Sequence, residues 1–208
     1  REVCLKVMSK VLSKSKVAEE KFLADAARVA LLSDPHVVPI YSSGEHEGCS
    51  YVVMQYMGAS SLAPYLEKAK GMLPLSSVYR CIRDAAKGLH GAFAQGVSHN
   101  NISLNNILVD GDGHIKVTDF GFNYSLFLME KDTEKLLDFF APHYLSREIV
   151  KTGENSLLGD VYSLGAVFYH LIAGVAPFPA SSKKEMVSQR LDRSPVLPHN
   201  VRREIPEN

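Results

Sequence analysis

The chain has 208 residues, enough for one sizeable core, and its 46% hydrophobic content beside 22% charged residues is that of an ordinary globular domain. Lysine plus arginine (23) balance aspartate plus glutamate (23), which excludes the broad basic field expected of a nucleic-acid or anionic-membrane binder. Cys4, Cys49 and Cys81 are odd in number and have no C-x-x-C spacing, so neither a disulfide framework nor a thiolate metal site is expected, and a reducing compartment fits. No apolar run approaches the roughly 20 residues of a membrane-spanning helix, and no signal peptide opens the chain. A cytoplasmic location, or the intracellular part of a larger protein, is the expectation.

In chain order, Arg1 to Met8 alternates like a strand entered partway. Val17 to Leu32 places Phe22, Ala26, Val29 and Ala30 at helical spacing, and Ser33-Asp34-Pro35 stops it. Val37 to Tyr41 and Tyr51 to Tyr56 read as adjacent strands across a polar turn, Ser42 to Gly48. After Gly58 the pattern turns helical, with helices over Leu62 to Lys70 and Leu75 to Gln95, the second preceded by Pro74. Asn106 to Val109 and His114 to Val117 flank Asp110-Gly111-Asp112-Gly113, a hairpin signal. A long apolar helix from Gly159 closes at Gly174, with Pro177 beyond it.

Three motifs appear in order along this pattern: V-C-L-K ending at Lys6, H-N-N-I-S-L-N-N from His99 to Asn106, and D-F-G at Asp119. With D-V-Y-S-L-G from Asp160 opening a core helix, they resemble the strand lysine, catalytic loop and metal-binding turn of eukaryotic-type protein kinases. The flavour of Y-L-S-R-E near Glu148 is similar to bacterial serine/threonine kinases. The resemblance implies an α+β, two-lobed protein-kinase-like fold. An N-terminal sheet lobe over residues 1–57 carries one helix, and a mainly helical C-terminal lobe spans 58–208, with the glycine-rich loop and the terminal helices outside the chain.

The resemblance also implies roles. Lys6 would hold the α- and β-phosphates of ATP, Asp119 a bridging Mg²⁺ and Asn106 a second one. The helix partner of Lys6 falls at Asp25, one methylene shorter than the family's glutamate, so a strained or open pair is expected. Met54 lies at the back of the adenine pocket or serves as plain core filling; Gln55, Tyr56 and Met57 form the connector whose backbone would meet adenine, and Leu108 joins the cofactor-binding set.

The transfer half departs from the family. Where the family has the aspartate that orients the attacking hydroxyl and accepts its proton, this chain has Asn101, of the same shape without charge or basicity. General-base help of roughly 10²–10⁴ in rate is then missing. Ser103 replaces the lysine that neutralises the moving phosphoryl group, and Asn100 replaces the arginine that grips a phosphorylated activation segment, while His99 keeps its family position. The segment Phe122 to Ser146 offers Tyr124, Ser125 and Thr133 as phosphosites among many apolar residues, which reads as ordinary packing or as a docking surface. A pseudokinase that binds ATP and Mg²⁺ weakly and serves a protein partner is the leading expectation. A slow serine/threonine kinase and a nucleotide-free interaction domain are the rivals.

Overall fold

The structure is a computed structural model that describes residues 2–8, 13, 15–58, 60–121, 141–152 and 156–207. Strands β1 (Val3–Val7), β2 (Ile40–His46) and β3 (Cys49–Gln55) form an antiparallel sheet in the order β1-β3-β2. Helix α1 (Lys16–Ala30) lies across β2 and β3. Its start is fixed by Ser15, whose hydroxyl accepts the Ala18 N–H at 3.4 Å, with Glu19 in the first turn and Arg28 in the last, matching the helix dipole. Ala18, Phe22 and Ala26 recur at helical spacing and pack on Val52 and Met54, the inward residues of β3, with Val38 beside them.

The polar stretch expected to be a turn is mostly strand. β2 runs on to His46, and the turn shrinks to Glu47 and Gly48, whose positive φ values of 48° and 71° suit a two-residue hairpin. Ser42 to His46 carry no apolar alternation because that strand has little to bury; ladder bonds to β3 decide its conformation. Val37, just ahead of β2, bridges Val117, with Val38 N–H donating to Val117 O at 2.9 Å and Val117 N–H to His36 O at 2.8 Å. These bonds tie the first sheet to the rest of the fold.

Beyond Gly58 come β4 (Ser60–Ser61), α2 (Leu62–Lys68), α3 (Leu75–Phe93) and the expected hairpin, β5 (Ile107–Val109) and β6 (Ile115–Val117), with Ile107 opposite Val117. Asp110 shapes the hairpin turn by accepting the Asp112 and His114 N–H groups at 3.0 and 2.8 Å. Helices α4 (Arg147–Thr152), α5 (Leu157–Ala173), α6 (Lys183–Asp192) and α7 (Pro198–Val201) follow. α5 is capped by Ser156, which accepts the Gly159 N–H, and ends on Gly174 at φ 77°. The main core gathers Val78, Ala85 and Leu89 of α3, Ile107, Ile115 and Val117 of the hairpin, and Val167 and Leu171 of α5 around Ile102 and Phe120. No helix among the described residues is long and apolar enough to cross a membrane.

Two close approaches need glycine. The Asp34–His36 loop rests on α3, where a Cβ at Gly88 would sit 2.6 Å from the His36 carbonyl oxygen. The ends of α2 and α5 meet glycine to glycine, for a Cβ on Gly174 would stand 2.6 Å from the Gly71 oxygen and one on Gly71 3.0 Å from the Gly174 oxygen. Gly88→Ala is expected to destabilise the protein by about 1–3 kcal/mol, the usual cost of overpacking. Gly111→Ala, whose added Cβ meets nothing within 4 Å, is the control and should leave the denaturation midpoint nearly unchanged.

Candidate active site

A buried carboxylate organises the loop from His99 to Asn106. Asp160, 3% exposed in the first turn of α5, accepts the backbone N–H of His99 through Oδ2 and of Asn100 through Oδ1, both at 2.7 Å. Burial pushes its carboxyl up from the ordinary range, opposed by the nearby His99 and by these two donors. His99 is 1% exposed, and its protonation is settled by its neighbours. Nδ1 lies 3.2 Å from the Asn101 N–H, which can only donate, so Nδ1 is bare; Nε2 therefore carries the proton and gives it to Thr118 O at 2.8 Å. Burial pushes the His99 pKa down, in line with a neutral ring. The ring also packs on Phe120, with centroids 4.7 Å apart.

That frame fixes the three altered positions. Asn100 takes a left-handed φ of 72°. Asn101 is buried, and its side-chain oxygen accepts the Ala141 N–H at 3.1 Å, while Asn106 Nδ2 donates to its carbonyl at 2.8 Å. Ser103 is 3% exposed and presents a short hydroxyl where the resemblance expected a cation. The Thr118 N–H to Asn106 O bond, 3.0 Å, prolongs the hairpin pairing by one step, so Asn106 and Asp119 emerge at the same end of it. Asp119 is itself left-handed at φ 67°, a backbone cost that persists only when the surroundings impose it.

Across from this loop, Lys6 Nζ meets Asp119 Oδ1 at 2.8 Å. Asp25, buried beside Gly121, is engaged by Lys21 at 3.2 Å and Arg28 at 3.8 Å on its own helix. A cleft of about 430 Å³ runs between sheet and hairpin and brings Lys6, Met54, Gln55, Tyr56, Met57, Leu108 and Asp119 together. Met54 is both cleft lining and core, since its side chain is 5% exposed and packs in the sheet cluster. Sequence reasoning missed Val38 and Thr118. Thr118 donates its hydroxyl to Met54 Sδ at 3.8 Å, and its place just before Asp119 was the available signal. Asp119 and the Asn106 carboxamide offer hard oxygens, the donor type that Mg²⁺ takes beside substrate phosphates, so this donor set fits the ion the resemblance implies.

The proposed phosphosites Tyr124, Ser125 and Thr133, and the apolar residues around them, lie outside the described residues. Past them the chain is pinned again: Ala141 to Asn101, and Tyr144 to His170, with 2.8 Å between the Tyr144 hydroxyl and His170 Nδ1. Burial and the neighbouring His143 push the His170 pKa down to about 4.

Two outcomes follow. Asp160→Ala leaves two buried N–H groups without an acceptor and should cost about 2–6 kcal/mol, at 1–3 per group, measured by chemical denaturation. His99 and His170 both titrate below the ordinary 6.5 when folded, so the unfolded chain takes up protons first as pH falls. Their contribution is complete above pH 6.5 and declines as pH falls, that of His170 towards pH 4; in His170→Gln the decline should be shallower.

Comparison with known proteins places this geometry. The family model described as protein kinase domain matches residues 1–207. A probable serine/threonine-protein kinase of Clostridium perfringens is 30% identical over 210 residues, covering 100% of this chain and 30% of that protein. The serine/threonine-protein kinase PknB of Mycobacterium leprae is 27% identical, covering 95% of this chain and 32% of that protein. This chain thus spans less than a third of either relative's length. The PknI kinase domain of Mycobacterium tuberculosis superposes with a TM-score of 0.74 at 20% identity, over 97% of this chain and 71% of that one, and so shares the fold. The chain belongs to the protein kinase family and is similar to its bacterial serine/threonine members.

Proposed function

We propose that this chain is a pseudokinase domain that holds ATP with Mg²⁺ weakly and works through a protein partner inside the cell. The observation that carries the reading is Asn101. At the position of the family's proton acceptor stands a carboxamide whose oxygen already takes the Ala141 N–H. A neutral amide oxygen has no basic lone pair to receive a hydroxyl proton at neutral pH, and Ser103 supplies no charge to the same transition state.

The nucleotide half supports binding. Lys6 and Asp119, paired at 2.8 Å, would receive the phosphates and the ion respectively, and Asn106 would offer a second oxygen. Mg²⁺, when bound, neutralises phosphate charge. The chain's own residues would orient it: the ammonium of Lys6 would meet phosphate oxygens, and the connector Gln55 to Met57, which lines the cleft, would face adenine. The open cleft weighs against a nucleotide-free domain, whose pocket would be filled by its own side chains. A slow kinase acting by positioning alone is the second reading, favoured by the same Lys6–Asp119 pair.

In a thermal-shift titration, ATP with Mg²⁺ at millimolar concentration should raise the midpoint above that with Mg²⁺ alone, and Lys6→Met should remove the increment. Radiolabel transfer from γ-labelled ATP to a generic protein substrate should be undetectable or very slow. Asn101→Asp with Ser103→Lys should recover more transfer than Asn101→Asp alone, because both positions serve one step. Brisk transfer by the unaltered protein, lost in Asp119→Ala, would overturn the pseudokinase reading and leave an active kinase with an unusual catalytic loop.

A further inference from the structure

The strand that carries Lys6 also carries a thiol. Where the strand motif of protein kinases reads V-A-I-K, this chain has Val3-Cys4-Leu5-Lys6, so a sulfur stands two residues before the lysine. Side chains two apart on a strand share a face, and Cys4 and Lys6 both line the cleft of about 430 Å³ between sheet and hairpin. Cys4 is exposed there, and its sulfur is free.

The strand register gives the end of the cleft that Cys4 occupies. Cys4 lies opposite Met54 of β3, the residue before the connector Gln55 to Met57, whereas Lys6 lies opposite Val52 and reaches Asp119 at 2.8 Å. Two steps along a strand separate the two side chains by ~7 Å. Lys6 therefore stands at the ion and phosphate end of the nucleotide reading, and Cys4 at the base end, beside a Met54 that is itself part of the lining. The other two thiols are placed differently. Cys49 is odd in the alternation of β3 where Met54 is even, so it faces away from the cleft, in a separate depression with Leu5, Val7 and Tyr51. Cys81 is buried on α3, and burial pushes its thiol pKa up, which suppresses the reactive thiolate.

We propose that Cys4 is a modification site inside the nucleotide cleft, taking soft electrophiles carried on a flat, purine-like heterocycle, and that a group fixed there excludes ATP. The inference rests on the nucleotide reading and deepens it by naming a residue at the base end. The cleft supplies what a solitary surface thiol lacks: a walled volume of ligand-pocket size that holds the heterocycle while the sulfur attacks, which raises the effective concentration of the reacting carbon. With a chloroacetamide the Cys4 thiolate attacks the chlorine-bearing carbon. An S–C bond forms, the C–Cl bond breaks, chloride leaves with the bonding pair and the thiol proton goes to solvent.

The probes are 2-chloroacetamide and the same chloroacetamide joined by a short linker to N9 of adenine. Each is applied in limiting amount to the full chain, and labelling of the three cysteines is read by peptide mass spectrometry. The adenine form should raise the ratio of Cys4 to Cys49 labelling by about tenfold or more over the plain reagent. ATP with Mg²⁺ should slow labelling of Cys4 and leave that of Cys49 as it was. Protein labelled at Cys4 should lose the thermal-shift increment that ATP with Mg²⁺ produces, while in Cys4→Ala the same treatment should make no difference to the increment. Equal Cys4 to Cys49 ratios for the two reagents, a full ATP increment in Cys4-labelled protein, or an increment lost on treating Cys4→Ala would each overturn the inference, and an increment in the unlabelled protein would then leave the nucleotide reading standing. Adenine-directed labelling of Cys4 without any ATP increment in the unlabelled protein would retire the ATP reading and keep Cys4 as a purine-directed thiol.

Discussion

Two N–H bonds to one buried carboxylate hold the centre of this molecule. Asp160 belongs to the core helix α5, and by accepting from His99 and Asn100 it fixes a loop 61 and 60 residues away in sequence. Everything chemical hangs from that loop. His99 is set in one tautomer, its Nε2–H reaches Thr118, and Thr118 leads directly to Asp119. The anchor also explains how the left-handed Asn100 and Asp119 persist, since each is bracketed by bonds made elsewhere. None of these framework bonds needs an aspartate at position 101 or a lysine at 103. The kinase-fold scaffold around the loop is thus independent of which residues stand at 101 and 103.

Chemistry and framework separate in the same way at Asn101. As a carboxamide it fastens the chain at Ala141 to the catalytic loop, a task that asks only for an acceptor oxygen. A carboxylate could make the same bond and act as a base besides. A carboxamide at 101 therefore costs the fold little, because the architecture asks of this position only an acceptor oxygen.

Much of this was legible in the sequence where local pattern decides. The amphipathic spacing of Phe22, Ala26 and Val29 located α1, the Asp-Gly turn located the β5–β6 hairpin, and the three motifs located the cleft. β2 was misjudged because an exposed strand carries no apolar alternation, so only its ladder partner reveals it. β4, two residues long, has no period at all. The long-range polar contacts were also beyond reach: nothing near Asn101 names Ala141 as its donor. Nor does α6 advertise Arg190 as buried, because an arginine on a polar helix reads as surface. Spacing singled out Asp25 on α1, but its engagement by Lys21 and Arg28 depends on rotamers within one helix face.

The meeting of Gly71 with Gly174 sets a fixed dimension of the fold. Both glycines lie along a groove that also contains His143, and there the wall is main chain rather than side chain. A wall of that kind has no rotamers to swing aside, so the width of the groove at this end is set by how α2 and α5 terminate. Substituting either glycine alone would press a methyl group against the opposing backbone, so the aperture would resist gradual retuning through its residues one at a time.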